Sequence, residues 1–404
     1  MNTISLKQKS SLSGSAKNLP ASKSISNRVL ILNALSGNKS ILHNLSDAND
    51  TQLMLRLINS ENTIIDVEDA GTTMRFLTAY FSVTNQKKII TGAHRMKERP
   101  IGILVDALRS LGVMIDYTEK DGYPPLEIRN FSAQKTNSIR IRGDVSSQFI
   151  SALMMVAPTL PQGLTLILEG KVGSRPYIEM TASLMHHFGV KCEVLDKQIN
   201  ISSQSYSPAE YTVESDWSAA SYWFAFAALA KDAEILLPGL SLNSLQGDSA
   251  IMKIMESLGV QSNMDGAFMK LSKISTKQTL SWDFTHCPDL AQTVAVVCAA
   301  KGIEGDFRGL ESLRIKETDR IAALQTELRK IGADLIAEGA LWKLIPTTHL
   351  PSKAYFNTYE DHRMAMAFAP LATVMNVEIE NPVVVKKSYP KFWEDLKFLG
   401  FEVK

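Results

Sequence analysis

One pattern of apolar and polar positions recurs along the chain. An amphipathic segment with helical spacing is followed by a glycine and then by a short run in which apolar and polar residues alternate. Glycine after a helix adopts a left-handed conformation without strain, and alternation is typical of a half-buried strand. The pattern therefore predicts a helix, a turn and a strand around each of Gly112, Gly189, Gly259, Gly332 and Gly400.

The five glycines are spaced by about 70 residues, which indicates an internal repeat. Helix and strand segments of this kind occur in any α/β protein, but independent occurrence would not explain such even spacing. The period is longer than that of solenoid repeats, so each repeat is expected to be a small module with more than one helix and strand.

A sixth copy is expected upstream, and it is shorter than the others. Residues 51–65 resemble the repeat, with Asn59 in the place of the glycine. The interval from Asn59 to Gly112 is shorter than the intervals between the five glycines. About twenty residues are therefore expected to be missing between Leu57 and Asp69. Six modules predict two globular halves of three, with a boundary near residues 212–216.

Composition narrows the class of protein. The chain has 404 residues and a formal net charge of +1. This suits a globular protein of two or three domains and speaks against nucleic-acid or membrane-surface proteins, which usually carry a basic excess. Cys192, Cys287 and Cys298 have no CxxC spacing, so neither a disulfide framework nor a zinc site is indicated. The apolar stretches are shorter than a membrane span, and a soluble, cytoplasmic protein is expected.

The start of the chain, MNTISLKQKSSLSGSAKN, is rich in Ser and Lys. Such a segment could be taken for a transit peptide. It lacks Arg, and the first chemical motif already begins at Pro20, so a mature N-terminus is expected.

Several segments place polar or charged residues where a helix is predicted to begin. Lys23 and Arg28 flank the start of the apolar run in LPASKSISNRVLILNAL, and Arg363 precedes another in YEDHRMAMAF. Free N–H groups and the positive end of the helix dipole favour an anion there. An ordinary capped helix with solvated cations is the alternative for each segment alone. Gly71 and Thr72 begin a further helix, where a ligand can approach the backbone.

Two more segments offer groups for a polar ligand. Ser146, Ser147 and Gln148 stand at the head of an apolar helix, and hydroxyl-rich ligands need such side chains, although capping explains one Ser. Arg99 lies before Pro100 and is expected to be extended, which suits a bidentate clamp, whereas a solvated loop is the default for its charged run.

The segment LRIKETDRIAAL is expected to form one helix. Lys316 and Arg320 would then lie on one helix face with Glu317 beside them, and a self-compensating surface helix is the alternative. The chain contains no GxxxxGK[ST], GxGxxG, HExxH or GxSxG motif, so ATP, NAD and catalytic zinc are not expected. Cations at helix starts with a few carboxylates suit the binding of small, multiply anionic molecules.

Together these segments resemble the 5-enolpyruvylshikimate-3-phosphate synthases, a family of enolpyruvyl transferases. The similarity runs nearly end to end, in the family's order, through LPASKSISNR, DAGTTMR, RMKERPIG, YPPL, VSSQF, SRPY, NSLQGD, HCPDLA, RIKETDR, DHRMAM and KKSYP. Any one of these motifs alone would be weak, but eleven in order are specific.

The resemblance implies an α/β (α+β) fold of two domains, each with three βαβαββ-type units about a pseudo-threefold axis, one unit being shortened here. One domain is expected at residues 1–19 and 214–404 and the other at residues 20–213, with the active site in the cleft between them. The implied reaction transfers the enolpyruvyl group of phosphoenolpyruvate to the 5-hydroxyl of shikimate 3-phosphate and releases phosphate. No cofactor or metal is implied, and these two substrates are the expected partners of a monomer.

The resemblance also implies what individual residues do. Asp289 is expected to accept the hydroxyl proton and Glu317 to exchange the proton at carbon, while Lys23 is expected to touch both substrates and to share in proton transfer as a third catalytic residue. Shikimate 3-phosphate is expected to bind Lys23, Ser24, Arg28, Ser146, Ser147, Gln148, Ser174, Asp289, Ser312 and Lys316. Phosphoenolpyruvate is expected to bind Lys23, Gly71, Thr72, Arg99, Gln148, Arg320, Arg363 and Lys387.

The chain departs from the family at three positions. Ser312 stands where Asn is usual, so its contact with the substrate is expected to be shorter or water-bridged. Asp69 replaces an Asn and adds a negative charge, and Phe76 replaces a Pro and removes a helix kink. Gly71 is retained, so glyphosate, which occupies the phosphoenolpyruvate site in this family, is expected to inhibit.

Two other functions were weighed against this one. The related transferases that act on UDP-N-acetylglucosamine carry a Cys in the loop that corresponds to residues 94–97, and this chain has none there. An inactive ligand-binding homologue is disfavoured because Asp289, Glu317, Lys23 and the arginines are all present.

Overall fold

Six sheets, five of them mixed, and their helices make up the structure, a computed structural model that describes residues 3–144 and 146–404. Val145 of the VSSQF motif, like Met1 and Asn2, lies outside the described residues. The chain folds into two units. The first contains the stretch that ends at Ser22, together with Asp47–Asn49 and Glu214–Lys404, and the second contains Lys23–Ser46 and Asp50–Val213.

The α-helices in the described part of the chain are α1 (Lys23–Leu35), α2 (Asn49–Ile58), α3 (Gly71–Val83), α4 (His94–Lys97), α5 (Gly102–Leu111), α6 (Ser147–Val156), α7 (Arg175–His187), α8 (Trp217–Leu229), α9 (Ile251–Ser257), α10 (Ala291–Lys301), α11 (Arg320–Arg329), α12 (His362–Phe368) and α13 (Phe392–Phe398). Short 3₁₀ helices lie at Ala157–Thr159, Gly247–Ala250, Phe284–His286, Pro288–Leu290, Glu311–Ile315, Ala369–Thr373 and Pro382–Lys387.

The strands are β1 (Thr3–Leu6), β2 (Ser11–Ser15), β3 (Ile41–His43), β4 (Ile64–Asp66), β5 (Lys88–Thr91), β6 (Val113–Tyr117), β7 (Leu126–Phe131), β8 (Ser138–Arg142), β9 (Leu164–Glu169), β10 (Glu193–Val194), β11 (Gln198–Ile201), β12 (Glu210–Thr212), β13 (Asp232–Pro238), β14 (Val260–Asp265), β15 (Phe268–Lys273), β16 (Thr279–Asp283), β17 (Glu304–Arg308), β18 (Asp334–Glu338), β19 (Leu341–Ile345), β20 (Lys353–Phe356) and β21 (Asn376–Glu380).

Four of the sheets share one strand arrangement. Their orders are β4-β5-β7-β6, β10-β11-β9-β8, β14-β15-β13-β2 and β16-β17-β19-β18. In each, two strands run parallel and a hairpin adds antiparallel to the second of them. One helix joins the parallel strands in three of these sheets, whereas β2 and β13 are distant in sequence and α8 directly precedes β13. A second helix connects the parallel pair to the hairpin, so the predicted βαβαββ module is confirmed.

The remaining two sheets are variants of the same module. In the fifth, β20 runs parallel to β21, β1 adds antiparallel, and Leu6 forms a single bridge to Val403. The sixth contains β12 and β3 alone, paired in parallel. Each unit therefore holds three modules.

The glycines that define the sequence repeat adopt the predicted conformation. All five have a positive φ, between 79° and 111°. At Gly112, a Cβ would lie 2.4 Å from the carbonyl oxygen of Ala133, so a side chain is excluded by space as well as by the backbone angle.

The shortened module lacks the hairpin that four of the sheets contain. Helix α2 ends at Ile58, and the chain enters β4 of the next sheet at Ile64. The predicted deficit between Leu57 and Asp69 therefore corresponds to the antiparallel hairpin. Lys88 holds the short connection, because its Nζ donates to the carbonyl oxygens of Ser60 and Asn62 at 2.8 and 2.7 Å.

The first helix of each module is buried among apolar side chains. Helices α1, α3 and α6 pack against one another in the second unit, and α10 packs against α8 and α12 in the first. Helix α8 is apolar on all sides, and Trp217 and Trp223 within it are fully buried. Such a helix is stabilised by burial and not by an amphipathic face, so its position in the fold is fixed.

Replacing Lys88 tests how the short connection is held. Lys88→Met removes a buried ammonium group that donates to two carbonyl oxygens, and we expect the free energy of unfolding to fall by about 2 kcal/mol. The control Lys87→Met removes the exposed neighbouring cation and is expected to change it by less than about 0.5 kcal/mol. Urea denaturation of both variants gives the comparison, and equal stabilities would show that Lys88 does not hold the connection.

Candidate active site

The candidate residues lie where helices begin. In the modules that begin with β4, β8, β16 and β20, the first helix follows the first parallel strand and the second helix follows the second, so both start at the carboxyl ends of the parallel pair. Polar side chains and ligands gather at that edge of α/β sheets. Free backbone N–H groups at the helix starts also favour anions there.

In the second unit, helices α1 and α2 bring Lys23 and Asp50 together. Lys23 is the first residue of α1, and its Nζ lies 3.0 Å from Oδ2 of Asp50. The carboxylate is nearly buried, with 5% of its side chain exposed, whereas 17% of Lys23 is exposed. The Lys23 side chain is therefore partly accessible to solvent, whereas its carboxylate partner is not.

Helices α3 and α6 place their first residues side by side. Nε2 of Gln148 donates to Oγ1 of Thr72 at 2.9 Å. Ser146 caps α6, since its Oγ accepts a hydrogen bond from the backbone N–H of Gln148. Ser174 precedes α7 with a φ of 51°. The predicted helix starts at Gly71 and Ser147 are confirmed.

Gly71 allows two guanidinium groups to approach the backbone. A Cβ at this position would lie 2.7 Å from Nη1 of Arg99 and 2.8 Å from Nη1 of Arg75. Arg75 donates to the carbonyl oxygen of Gly71 at 2.9 Å. Both arginines are buried, so the start of α3 carries a strongly cationic surface that a side chain at position 71 would obstruct.

In the first unit, three carboxylates surround one guanidinium group. Arg320 donates from Nε to Asp361 at 2.7 Å, from Nη1 to Asp289 at 3.0 Å and from Nη2 to Glu317 at 2.6 Å. Arg320 is 2% exposed and Asp361 is fully buried, whereas Asp289 and Glu317 retain 17% and 16% exposure. Asp361 is thus a permanent partner of Arg320, and the other two carboxylates face an accessible side.

Further cations complete this cluster. Nη2 of Arg363 lies 2.9 Å from Oδ2 of Asp289, and Nζ of Lys387 lies 3.8 Å from Oε1 of Glu317. Although burial opposes it, Arg363, followed by Lys316 and Arg320, lowers the pKa of Asp289. Asp289 is therefore a carboxylate at neutral pH.

A second aspartate lies behind Asp289. Asp248 accepts a hydrogen bond from the hydroxyl of Ser218, which also lies 3.4 Å from Nη2 of Arg363. Burial, and then the negative charge of Asp289, raise the pKa of Asp248 to about 7. Asp248 is thus the carboxyl group of this site that changes charge near neutral pH.

Two expectations about local structure were wrong. Lys316 and Arg320 do not share a helix, because α11 begins only at Arg320 and Lys316 is extended. Asp319 sets this start by accepting hydrogen bonds from the N–H groups of Ile321 and Ala322. The cationic run before Arg99 is also not a plain loop, since α4 forms at its start.

Sequence reasoning missed four acidic or basic residues of the site. Asp50, Asp248 and Asp361 are buried acids near helix starts, where an Asp is normally taken for a cap. Asp361 does cap α12, accepting from the N–H of Arg363 at 2.9 Å, besides holding Arg320. The fourth residue is Arg75, and its place in the DAGTTMR motif was the signal that could have identified it. Ser312 is half-buried within a 3₁₀ turn.

The arrangement suits proton transfer beside bound anions. Carboxylates paired with arginines are ionised bases, and the arginines are fork-shaped donors for carboxylate or phosphate. Among residues 3–144 and 146–404, His, Cys, Asp and Glu form no cluster that could hold a metal ion. In the same part of the chain, no helix has the length and apolar character needed to cross a membrane.

Comparison with known proteins gives one family. The family model described as EPSP synthase (3-phosphoshikimate 1-carboxyvinyltransferase) matches residues 6–60 and 56–396. A Bacteroides fragilis (strain YCH46) protein named 3-phosphoshikimate 1-carboxyvinyltransferase is 48% identical over 392 residues, covering 96% of this chain and 95% of that protein. A protein of the same name from Vibrio atlanticus is 36% identical over 431 residues, covering 99% of this chain and 100% of that protein.

Solved structures show the same fold. An EPSP synthase from Acinetobacter baumannii superposes with a TM-score of 0.78 at 18% identity, with all of both chains covered. The enolpyruvyl transferase NikO from Streptomyces tendae gives a TM-score of 0.75 at 13% identity, covering 100% of this chain and 98% of the other. The two-domain enolpyruvyl-transferase fold expected from the sequence is confirmed.

The raised pKa of Asp248 predicts a pH-dependent stability. The unfolded chain loses this proton near pH 4 and the folded chain only near pH 7, so the stabilising contribution is complete below pH 4 and is lost as the pH rises to 7. We expect Asp248→Asn to gain up to ~4 kcal/mol relative to the wild type over this interval. Unfolding free energies measured from pH 4 to 8 provide the test.

The exposed Asp265 supplies the matched control, since Asp265→Asn changes the same functional group without burial. The difference in unfolding free energy between Asp265→Asn and the wild type should lack the change of up to ~4 kcal/mol expected for Asp248→Asn. If the curves for Asp248→Asn and the wild type run parallel, then Asp248 does not titrate in the folded protein.

Proposed function

The chain belongs to the EPSP synthase family and is a 3-phosphoshikimate 1-carboxyvinyltransferase, and we propose that the two sets of residues described above bind its substrates and transfer its protons. The reaction moves the enolpyruvyl group of phosphoenolpyruvate to the 5-hydroxyl of shikimate 3-phosphate and releases phosphate. Addition needs a proton at the vinyl carbon and removes one from the hydroxyl, and elimination then expels phosphate from the tetrahedral intermediate.

One observation carries the proposal: the two accessible carboxylates, Asp289 and Glu317, share the guanidinium group of Arg320. A reaction that protonates carbon and deprotonates a hydroxyl needs two such groups, placed beside cations that hold phosphate and carboxylate. Asp289 accepts the hydroxyl proton and Glu317 exchanges the proton at carbon. Lys23 contacts both substrates from the start of α1.

Substrate binding makes Asp289 a stronger base. Arg320 and Arg363 hold both oxygens of its carboxylate, and a carboxylate with a lowered pKa takes up a proton poorly. Phosphoenolpyruvate brings a phosphate and a carboxylate that compete for the same guanidinium groups. The pKa of Asp289 then rises toward the range in which it can accept a proton.

Phosphoenolpyruvate binding is assigned to cations of both units and to the start of α3. The proposed contacts are Lys23, Gly71, Thr72, Arg99, Gln148, Arg320, Arg363 and Lys387. The close approach of Arg99 to Gly71 supports this assignment, because an anion above that backbone meets a guanidinium group and the N–H groups of a helix start.

Shikimate 3-phosphate is assigned to hydroxyl groups and cations. The proposed contacts are Lys23, Ser24, Arg28, Ser146, Ser147, Gln148, Ser174, Asp289, Ser312 and Lys316. The starts of α1 and α6 support this set by combining hydroxyl and amide side chains with N–H groups. We further propose that the protein acts as a cytoplasmic monomer, and its three free cysteines support a reducing compartment.

Phosphate release tests the proposed catalytic residues. With shikimate 3-phosphate and phosphoenolpyruvate together, the wild type should release phosphate, whereas Asp289→Asn and Glu317→Gln should lower kcat by about 10²- to 10⁴-fold. Asp306→Asn and Glu304→Gln are matched controls on an exposed strand and should retain the wild-type kcat. Full activity of Asp289→Asn would exclude Asp289 as the base.

Glyphosate tests the phosphoenolpyruvate site at Gly71. We expect micromolar inhibition of the wild type, competitive with phosphoenolpyruvate. In Gly71→Ala the new Cβ displaces the Arg99 guanidinium group, so the inhibition constant and the KM for phosphoenolpyruvate should both rise. Steady-state kinetics measure both values. A wild type that is indifferent to millimolar glyphosate would contradict the expectation.

A further inference from the structure

Arg28 is a buried cation without an acidic partner. Its side chain is 2% exposed, and no carboxylate in the described ranges 3–144 and 146–404 forms an ion pair with it. Its acceptors are neutral: Oγ1 of Thr181 at 2.8 Å from Nε, Oγ of Ser151 at 3.0 Å from Nη2, and the carbonyl oxygen of Ser24 at 2.9 Å from Nη1.

The two hydroxyl groups that hold Arg28 are themselves fixed. Ser151 on α6 and Thr181 on α7 are fully buried. Oγ1 of Thr181 donates to the carbonyl oxygen of Tyr177 at 2.7 Å and lies 2.9 Å from Oγ of Ser151. The hydroxyl groups therefore have little freedom, and they fix the plane of the guanidinium group.

Aromatic rings cover the guanidinium group without neutralising it. Cζ of Arg28 lies 5.3 Å from the ring centre of Phe76 and 5.7 Å from that of Tyr177. Burial lowers the pKa of Arg28 to about 10, which leaves it charged at neutral pH. A buried charge that is oriented but uncompensated binds an incoming anion strongly, since no internal carboxylate has to be displaced.

We propose that Ser151 and Thr181 are positioning residues that hold Arg28 as an uncompensated cation for an anionic group of shikimate 3-phosphate. This inference rests on the proposed function, in which Arg28 binds that substrate. In this proposal the neutral hydrogen-bond acceptors of Arg28 have a function. The hydroxyl groups orient the guanidinium group as a carboxylate would, but they leave its positive charge available to the ligand.

Substituting Ser151 by Asp and, separately, by Asn distinguishes the effect of charge on binding from the effect of side-chain shape. Ser151→Asp places a carboxylate beside Arg28, and we expect the dissociation constant for shikimate 3-phosphate to rise about a hundredfold because the cation is then neutralised. Ser151→Asn has the same shape and no charge, so a rise of about tenfold or less is expected. Calorimetry with shikimate 3-phosphate alone measures both. Equal losses in the two variants would overturn the inference.

Removal of the hydroxyl groups tests the positioning itself. We expect Ser151→Ala and Thr181→Val each to raise the KM for shikimate 3-phosphate about tenfold, with little change in kcat or in the KM for phosphoenolpyruvate. Ser82→Ala and Thr78→Val are the matched controls, because these buried hydroxyl groups bond only within helix α3. They should leave every kinetic constant unchanged.

The outcomes distinguish a failure of the proposed function from a failure of the proposed positioning by Ser151 and Thr181. Absence of phosphate release by the wild type would contradict the proposed function. Turnover by the wild type together with an unchanged KM for shikimate 3-phosphate in Ser151→Ala and Thr181→Val would contradict the positioning alone. If Ser151→Asp fails to fold, the Ala and Val variants still decide, since they add no charge to the buried region.

Discussion

Both units keep arginine side chains out of water while these side chains remain charged. A buried ion is costly unless it is paired and hydrogen-bonded, and the two units meet this cost differently. Arg320 is surrounded by Asp361, Asp289 and Glu317, whereas Arg28 has hydroxyl groups, a carbonyl and aromatic rings. The first arrangement gathers carboxylates and cations in one cluster, and the second leaves Arg28 without an acidic partner among residues 3–144 and 146–404.

The repeated module explains how distant parts of the sequence contribute to these clusters. Each βαβαββ module presents two helix starts at the carboxyl ends of its parallel strands. Lys23, Gly71 and Arg363 stand at or next to the start of a first helix, and Asp50 and Arg320 at the start of a second one. The same structural position therefore recurs with different chemistry. A nearly neutral chain can in this way concentrate cations without a basic stretch in its sequence.

Much of this organisation could be predicted because it is local. A left-handed glycine after a helix and a polar residue before an apolar helix leave direct traces in sequence, as at Gly112 and at Ser146. Buried acids were not recognised, because an Asp before a helix satisfies the capping pattern whether or not it also holds an arginine, as Asp361 does. The expected helix through Lys316 failed for a related reason, since Asp319 caps the chain three residues later.

The shortened module shows which part of the repeat the site requires. Its hairpin is missing, yet its two helix starts still place Lys23 and Asp50 3.0 Å apart. A helix start is positioned by the strand before it and by the apolar packing of the helix, and the hairpin follows only after the second helix has ended. Loss of the hairpin therefore shortens the end of the module that is remote from the helix starts. There Lys88 donates to two carbonyl oxygens of the remaining connection, those of Ser60 and Asn62. The helix starts and the hairpin are separable parts of one module, so the hairpin can be lost while the helix starts keep Lys23 and Asp50 together.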